Sequence, residues 1–218
     1  MFNNTTLNYL VHRAKQSTEH HPTLVMMHGY GSNAQDLFGF APYLPPHYTI
    51  ISLEAPISLP MGGYAWFPLR IDRPLDEWIA AADIQNIQQL VLTTLDHCIQ
   101  QEGLNPDNIS LLGFSQGAML GWTLALTSPQ KFKRLIALSG FVVTDAIENI
   151  ATLQQVPKIY AAHGINDGVI PVAMARETIT PLAQRFAAID YREFPDAHEV
   201  SQANFTQLLE WLTLTEDH

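Results

Sequence analysis

The chain has 218 residues, enough for one substantial core, and its 47% hydrophobic and 15% charged content exclude a disordered polypeptide. Eleven Lys and Arg against 21 Asp and Glu leave a formal net charge of −10 with no basic run, so neither nucleic acid nor an anionic bilayer is an expected partner. The single cysteine, Cys98, has no disulfide partner, and no apolar run approaches the ~20 residues a membrane helix needs, so stable membrane insertion is not expected. Met1–Leu7 lacks the charged and apolar regions of a signal peptide, which makes a reducing, cytoplasmic setting the expected one.

Leu7–Val11 is a weak first strand candidate, followed by the stronger apolar runs Thr23–Met27 and Thr49–Leu53; His20-His21, ahead of Pro22, reads as a solvated loop. Ala80, Ile84, Ile87, Val91, Leu95, Cys98 and Ile99 then recur at three- and four-residue steps, placing them on one face of a long helix. Gly103 ends that helix, with Pro106 just beyond, and Cys98 reads as a small buried residue on its apolar face. Ile109–Gly113 is the next strand, Gly117–Ser128 an apolar helix, and Arg134–Leu138 and Lys158–Ala162 two further strands. Val172–Arg185 follows as a helix with Pro181 as a kink or break, then a weak strand at Asp190–Phe194 and a final helix over Glu199–Leu214. Strands apolar throughout are strands buried on both faces. The unbroken alternation predicts a single α/β domain over residues 1–218, with a mostly parallel central sheet and helices on both faces. Residues that carry chemistry should gather at the carboxyl ends of its strands.

The stretch Ile109–Gly117 carries the most information. A buried strand runs into Gly113-Phe114-Ser115-Gln116-Gly117 and then a helix, the context in which Gly-x-Ser-x-Gly is a nucleophile elbow. A serine hydroxyl needs a base and an orienting carboxylate, and in α/β-hydrolases these follow in the order Ser, Asp or Glu, His. His198, in the loop after the last strand, is preferred as base over His163, which ends Lys158–Ala162. Asp167 is preferred as carboxylate over Asp196, too close to His198 in sequence to reach around its ring, and over Asp145. The loop His28-Gly29-Tyr30-Gly31-Ser32-Asn33 should supply a second oxyanion donor, the Tyr30 N–H, beside the Gln116 N–H. His28 reads as structural: no histidine or cysteine sits beside it at ligand spacing, so no metal is expected. The aromatic loop Leu59–Phe67 offers Met61, Tyr64 and Trp66 to an acyl groove, with Phe141 and Val169 beside them.

At this point the chain resembles the phospholipase/carboxylesterase family of small serine hydrolases, which includes acyl-protein thioesterases and bacterial carboxylesterases. The resemblance rests on Met27-His28-Gly29-Tyr30-Gly31, Glu54-Ala55-Pro56, Tyr64-Ala65-Trp66-Phe67, Gly113-Phe114-Ser115-Gln116-Gly117, Leu138-Ser139-Gly140, His163-Gly164-Ile165-Asn166-Asp167 and Ala197-His198-Glu199. It implies a Ser115, Asp167 and His198 triad, oxyanion donors at Tyr30 and Gln116, and no cofactor. The expected substrate is a small-molecule carboxylic ester of short to medium acyl chain, with a lysophospholipid or an acyl thioester as the alternatives within the same chemistry. Tyr30-Gly31-Ser32-Asn33 stands where acyl-protein thioesterases typically have Leu-Gly-Asp after His-Gly, which resembles a bacterial-type branch. Two other readings share the scaffold: a catalytically silent binding protein, and a peptidase with the same triad.

Overall fold

Alternate residues of the strand β2 (Thr23–Met27) are buried in two different apolar layers. Leu24 and Met26 enter one and Val25 and Met27 the other, because successive strand side chains point to opposite faces. The computed structural model describes residues 5–15, 21–73 and 77–216; Met1–Asn4, within the segment read above as lacking signal-peptide features, and His20, read as loop, lie outside these. The strands are β1 (Tyr9–His12), β2, β3 (Thr49–Leu53), β4 (Ile57–Ser58), β5 (Tyr64–Ala65), β6 (Ile109–Phe114), β7 (Arg134–Leu138), β8 (Lys158–Gly164) and β9 (Ile189–Phe194). Seven of them form one sheet in the order β1-β3-β2-β6-β7-β8-β9, parallel except for β1, which pairs antiparallel with β3. Strands β4 and β5 make a separate hairpin.

Helices cover both faces. Helices α2 (Ala81–Glu102), α3 (Gln116–Thr127) and α4 (Val172–Arg185) pack on the face of Val25 and Met27. Helices α1 (Ala34–Phe38) and α5 (Gln202–Thr215) pack on the opposite face through Leu37, Leu208 and Leu212. Every residue of α3 from Gln116 to Leu126 is buried, as an all-round apolar helix must be. Helix α2 stops at Gly103, whose left-handed backbone (φ 65°) ends it. Among the described residues, no helix is long and apolar enough to cross a membrane.

The differences from the sequence expectations have local causes. Helix α4 is continuous with Pro181 inside it, because Ile179 and Leu182 are buried on either side and their packing outweighs one lost hydrogen bond. Helix α5 starts at Gln202 with the Ser201 hydroxyl as its cap, leaving Glu199 in the loop that carries His198. The short α1 and the β4–β5 hairpin were beyond periodicity to find, being too brief to show one.

Cys98 is fully buried on α2, and burial pushes its thiol up to about 11. The native protein should therefore resist a neutral-pH thiol reagent and react with one equivalent on denaturation. Stoichiometric labelling without loss of structure would contradict this placement.

Candidate active site

Strand β6 hands the chain to α3 through Ser115, which adopts φ 53° and ψ −116°. A non-glycine residue in this region is uncommon and costs on the order of 1–3 kcal/mol. Close packing on both sides enforces it. A Cβ on Gly117 would lie 2.0 Å from the Met27 carbonyl oxygen, and one on Gly113 would lie 2.3 Å from the Gly117 carbonyl oxygen. The Ser115 N–H donates to the Leu138 carbonyl at 2.8 Å, tying the turn to the end of β7.

The neighbouring strands bring up two partners. His198 Nε2 lies 2.9 Å from Ser115 Oγ, and His198 Nδ1 lies 2.7 Å from Asp167 Oδ2. The loops after β8 and β9 are stapled together: Ile165 N–H donates to the Phe194 carbonyl (2.7 Å) and Asn166 N–H to the Asp196 carbonyl (3.0 Å). Asp167 Oδ1 accepts from the N–H groups of Val169 and Ile170, each at 2.8 Å. That leaves Oδ2 for the imidazole, and it fixes the carboxylate in place. His163 sits buried beneath it, with Nε2 2.8 Å from the Ile170 carbonyl oxygen and 3.4 Å from Asp167 Oδ2. Of the two candidate bases, only His198 touches Ser115. Asp196 is buried with its Oδ2 unpartnered while His198 Nδ1 is taken by Asp167, and Asp145 is exposed on a 3-10 turn.

The loop after β2 is braced from behind. His28 Nε2 accepts from the Ala55 N–H at 3.1 Å, so its proton sits on Nδ1, which donates to the Gly29 carbonyl at 2.8 Å. Burial lowers the His28 pKa and keeps the ring in the neutral form this arrangement requires. The Gly31 N–H donates to the Tyr64 carbonyl (2.9 Å) and the Tyr64 N–H to the Ser32 carbonyl (2.7 Å), so the β4–β5 hairpin holds the loop open. Tyr30 and Gln116 both border Ser115. Gln116 opens α3, so its N–H has no acceptor within the helix. Its side chain, which sequence reasoning missed, accepts from the Trp66 N–H (2.8 Å) and donates to the Phe67 carbonyl (2.7 Å).

Two recesses meet at Ser115. One, of about 580 Å³, is polar and bordered by Ser32, Asn33, Gln35 and Asp36. The other, of about 320 Å³, is walled by Leu69, Trp78, Ile79, Met119 and Met174 together with Phe141 and Val169. Phe141 and Val169 thus stand where the sequence suggested, whereas Met61, Tyr64 and Trp66 do not. Trp66 is 0% exposed, with Nε1 donating to the His28 carbonyl at 2.8 Å, because a buried indole must satisfy its N–H. Met61 is 99% exposed at the tip of the hairpin turn, and Tyr64 packs against the core while its backbone braces the loop. Among the described residues, no three His, Cys, Asp or Glu side chains converge as metal ligands.

A mostly parallel sheet whose central strand turns through a strained serine into a helix defines the α/β-hydrolase class. Within it the chain belongs to the phospholipase/carboxylesterase family, whose profile matches residues 11–216, and it is a hydrolase of that family. It is 27% identical over 217 residues to acyl-protein thioesterase 1 of Kluyveromyces lactis, covering 87% of this chain and 90% of that protein. It is 22% identical over 191 residues to carboxylesterase SOBER1 of Arabidopsis thaliana, covering 83% of this chain and 77% of that protein. Among solved structures, esterase PE8 superposes with a TM-score of 0.85 at 26% identity, covering 97% of this chain and 100% of that one. The Bacillus cereus carboxylesterase shares the fold, with a TM-score of 0.81 at 17% identity over 98% and 96% of the two chains.

The close approach at Gly117 is testable on its own. Gly117→Ala should cost about 3 kcal/mol or more in denaturant unfolding, since backbone and not a mobile side chain blocks the methyl group. Gly168→Ala, with nothing within 4 Å of its Cβ, should stay within about 0.5 kcal/mol of wild type. Equal effects would remove the packing explanation of the turn.

Proposed function

We propose that the protein is a serine esterase that cleaves carboxylic esters of short to medium acyl chains through an acyl-enzyme, its residues 1–218 acting as one domain. The observation that carries this reading is the unbroken relay from Ser115 Oγ through His198 to Asp167, at 2.9 and 2.7 Å. In the first half-reaction Ser115 Oγ attacks the acyl carbon while His198 Nε2 takes its proton, and Asp167 holds the ring in the required tautomer. The carbonyl oxygen becomes an oxyanion opposite the Tyr30 and Gln116 N–H groups, which stabilise it in the transition state. His198 then protonates the departing alcohol or thiol. In the second half-reaction water, deprotonated by His198, releases the acid and restores the serine.

The two recesses support an assignment of the ends of the substrate. An apolar chain gains from burial in the recess of Trp78, Ile79 and Phe141, so that side takes the acyl group. The polar recess of Ser32, Asn33 and Asp36 then takes the leaving group. Among the described residues, no lysine or arginine lines either recess, so a phosphate-bearing leaving group would lack a cationic partner while facing Asp36. Neutral alcohols and thiols fit better. The single buried thiol agrees with a reducing, cytoplasmic setting.

Steady-state hydrolysis of p-nitrophenyl butyrate tests the assignment. Ser115→Ala should lower kcat by on the order of 10⁶ and Asp167→Asn by on the order of 10⁴, the latter by presenting the wrong tautomer of His198. Asp196→Asn should change it little. A Ser115→Ala variant within tenfold of wild type, or a larger loss at Asp196 than at Asp167, would overturn these roles.

A further inference from the structure

The apolar recess beside Ser115 ends against a second one. Ile79, Phe141 and Met174 line both; the far recess, of about 170 Å³, is completed by residues that include Val142, Val143, Asp145 and Glu177. Three side chains from three separate segments are therefore common to the two recesses. Ile79 precedes α2, Phe141 follows β7, and Met174 stands in the first turn of α4. They differ in stiffness. Met174 is unbranched and can swing aside, whereas Phe141 carries a rigid ring on a segment held in place. The Val142 N–H donates to Thr178 Oγ1 at 3.1 Å, and the Ser139 N–H donates to the Ala162 carbonyl at 2.8 Å. Gly140 lies between them, and a Cβ there would come within 2.6 Å of the Ala118 Cβ.

We propose that the Phe141 ring is the stop that sets the acyl-chain limit of the site, an inference that rests on the acyl assignment above. A methylene takes close to the share of volume of a liquid water molecule, ~30 Å³. The first recess, at about 320 Å³, thus holds roughly ten such groups at most, and the far one would add roughly five. A longer chain meets the ring and must leave its end in water, forgoing apolar burial for each excluded methylene. The far recess limits the gain, because Asp145 and Glu177 are exposed at its walls and an alkyl end would not be buried against them. Opening the partition should therefore lengthen the preferred chain by a few carbons and not without limit.

The test compares kcat/KM for p-nitrophenyl esters from C4 to C16 in wild type, Phe141→Ala and Phe141→Leu, with thermal unfolding confirming that each variant is folded. The ratio of C12 to C6 activity should rise about tenfold or more in Phe141→Ala and by less in Phe141→Leu. Binding of saturated fatty acids from C6 to C14 to Ser115→Ala and Ser115→Ala/Phe141→Ala, followed by calorimetry, reads the same partition without turnover. The longer acids should gain affinity only where the ring is gone. A chain-length profile and an acid-binding profile both unmoved by loss of the ring would overturn the proposal. Loss of turnover with the binding shift intact would instead fault the catalytic reading.

Discussion

The contact between α3 and the carboxyl end of β2 constrains everything built above the sheet. With glycine at 117, the helix backbone lies where a methyl group would come within 2.0 Å of the Met27 carbonyl oxygen, and this closeness leaves Ser115, two residues earlier, no room for an ordinary turn. Ser115 takes a left-handed backbone as a result, and the strain of about 1–3 kcal/mol is offset by the burial of α3 along nearly its whole length. In a nucleophile elbow this geometry lifts the hydroxyl above the sheet and sets the next backbone amide beside it. Ser139, leaving the adjacent strand with φ 53°, repeats the manoeuvre one strand over, and Phe141 beyond it stands at the wall of the apolar recess.

Rigidity continues outward from that contact. Asp167 engages both oxygens, one on two backbone amides and the other on His198, and so has little freedom to turn. The buried His163 closes the turn from below through the Ile170 carbonyl. On the opposite side of Ser115, neutral His28, the Tyr64 backbone and the Gln116 side chain fix the loop that presents Tyr30. Groups held this way need no reorganisation when charge develops on a substrate, which is how a preorganised site lowers a barrier.

The sheet and most helices were legible because their signals are local. Leu24 to Met27 are apolar at every position, Ile109 to Gly113 are apolar or small, and the α2 face repeats at helical spacing. The meeting of Ser115, Asp167 and His198 was legible from chain order, since loops at the ends of parallel strands converge at one edge. The walls of the recesses were not. Leu69, Trp78, Ile79, Met119 and Met174 come from four separate stretches of chain and carry no motif. The aromatic loop misled for a related reason: an indole such as Trp66 serves a core or a groove equally well, and the hydrogen bond to His28 that decides between them spans 38 residues. The elbow motif placed Gln116 directly after Ser115, but its side-chain hold on the chain at Trp66 and Phe67 depends on a loop placed by tertiary structure.

If strain and the relay together make Ser115 the nucleophile, a fluorophosphonate should find that one oxygen among all the serines of the chain. Intact-mass and peptide analysis of the native protein after brief exposure measures this directly. The account predicts a single phosphonyl adduct, with loss of fluoride, located on Ser115 and absent after denaturation before exposure. An adduct on another residue, or no adduct on the folded protein, would contradict it.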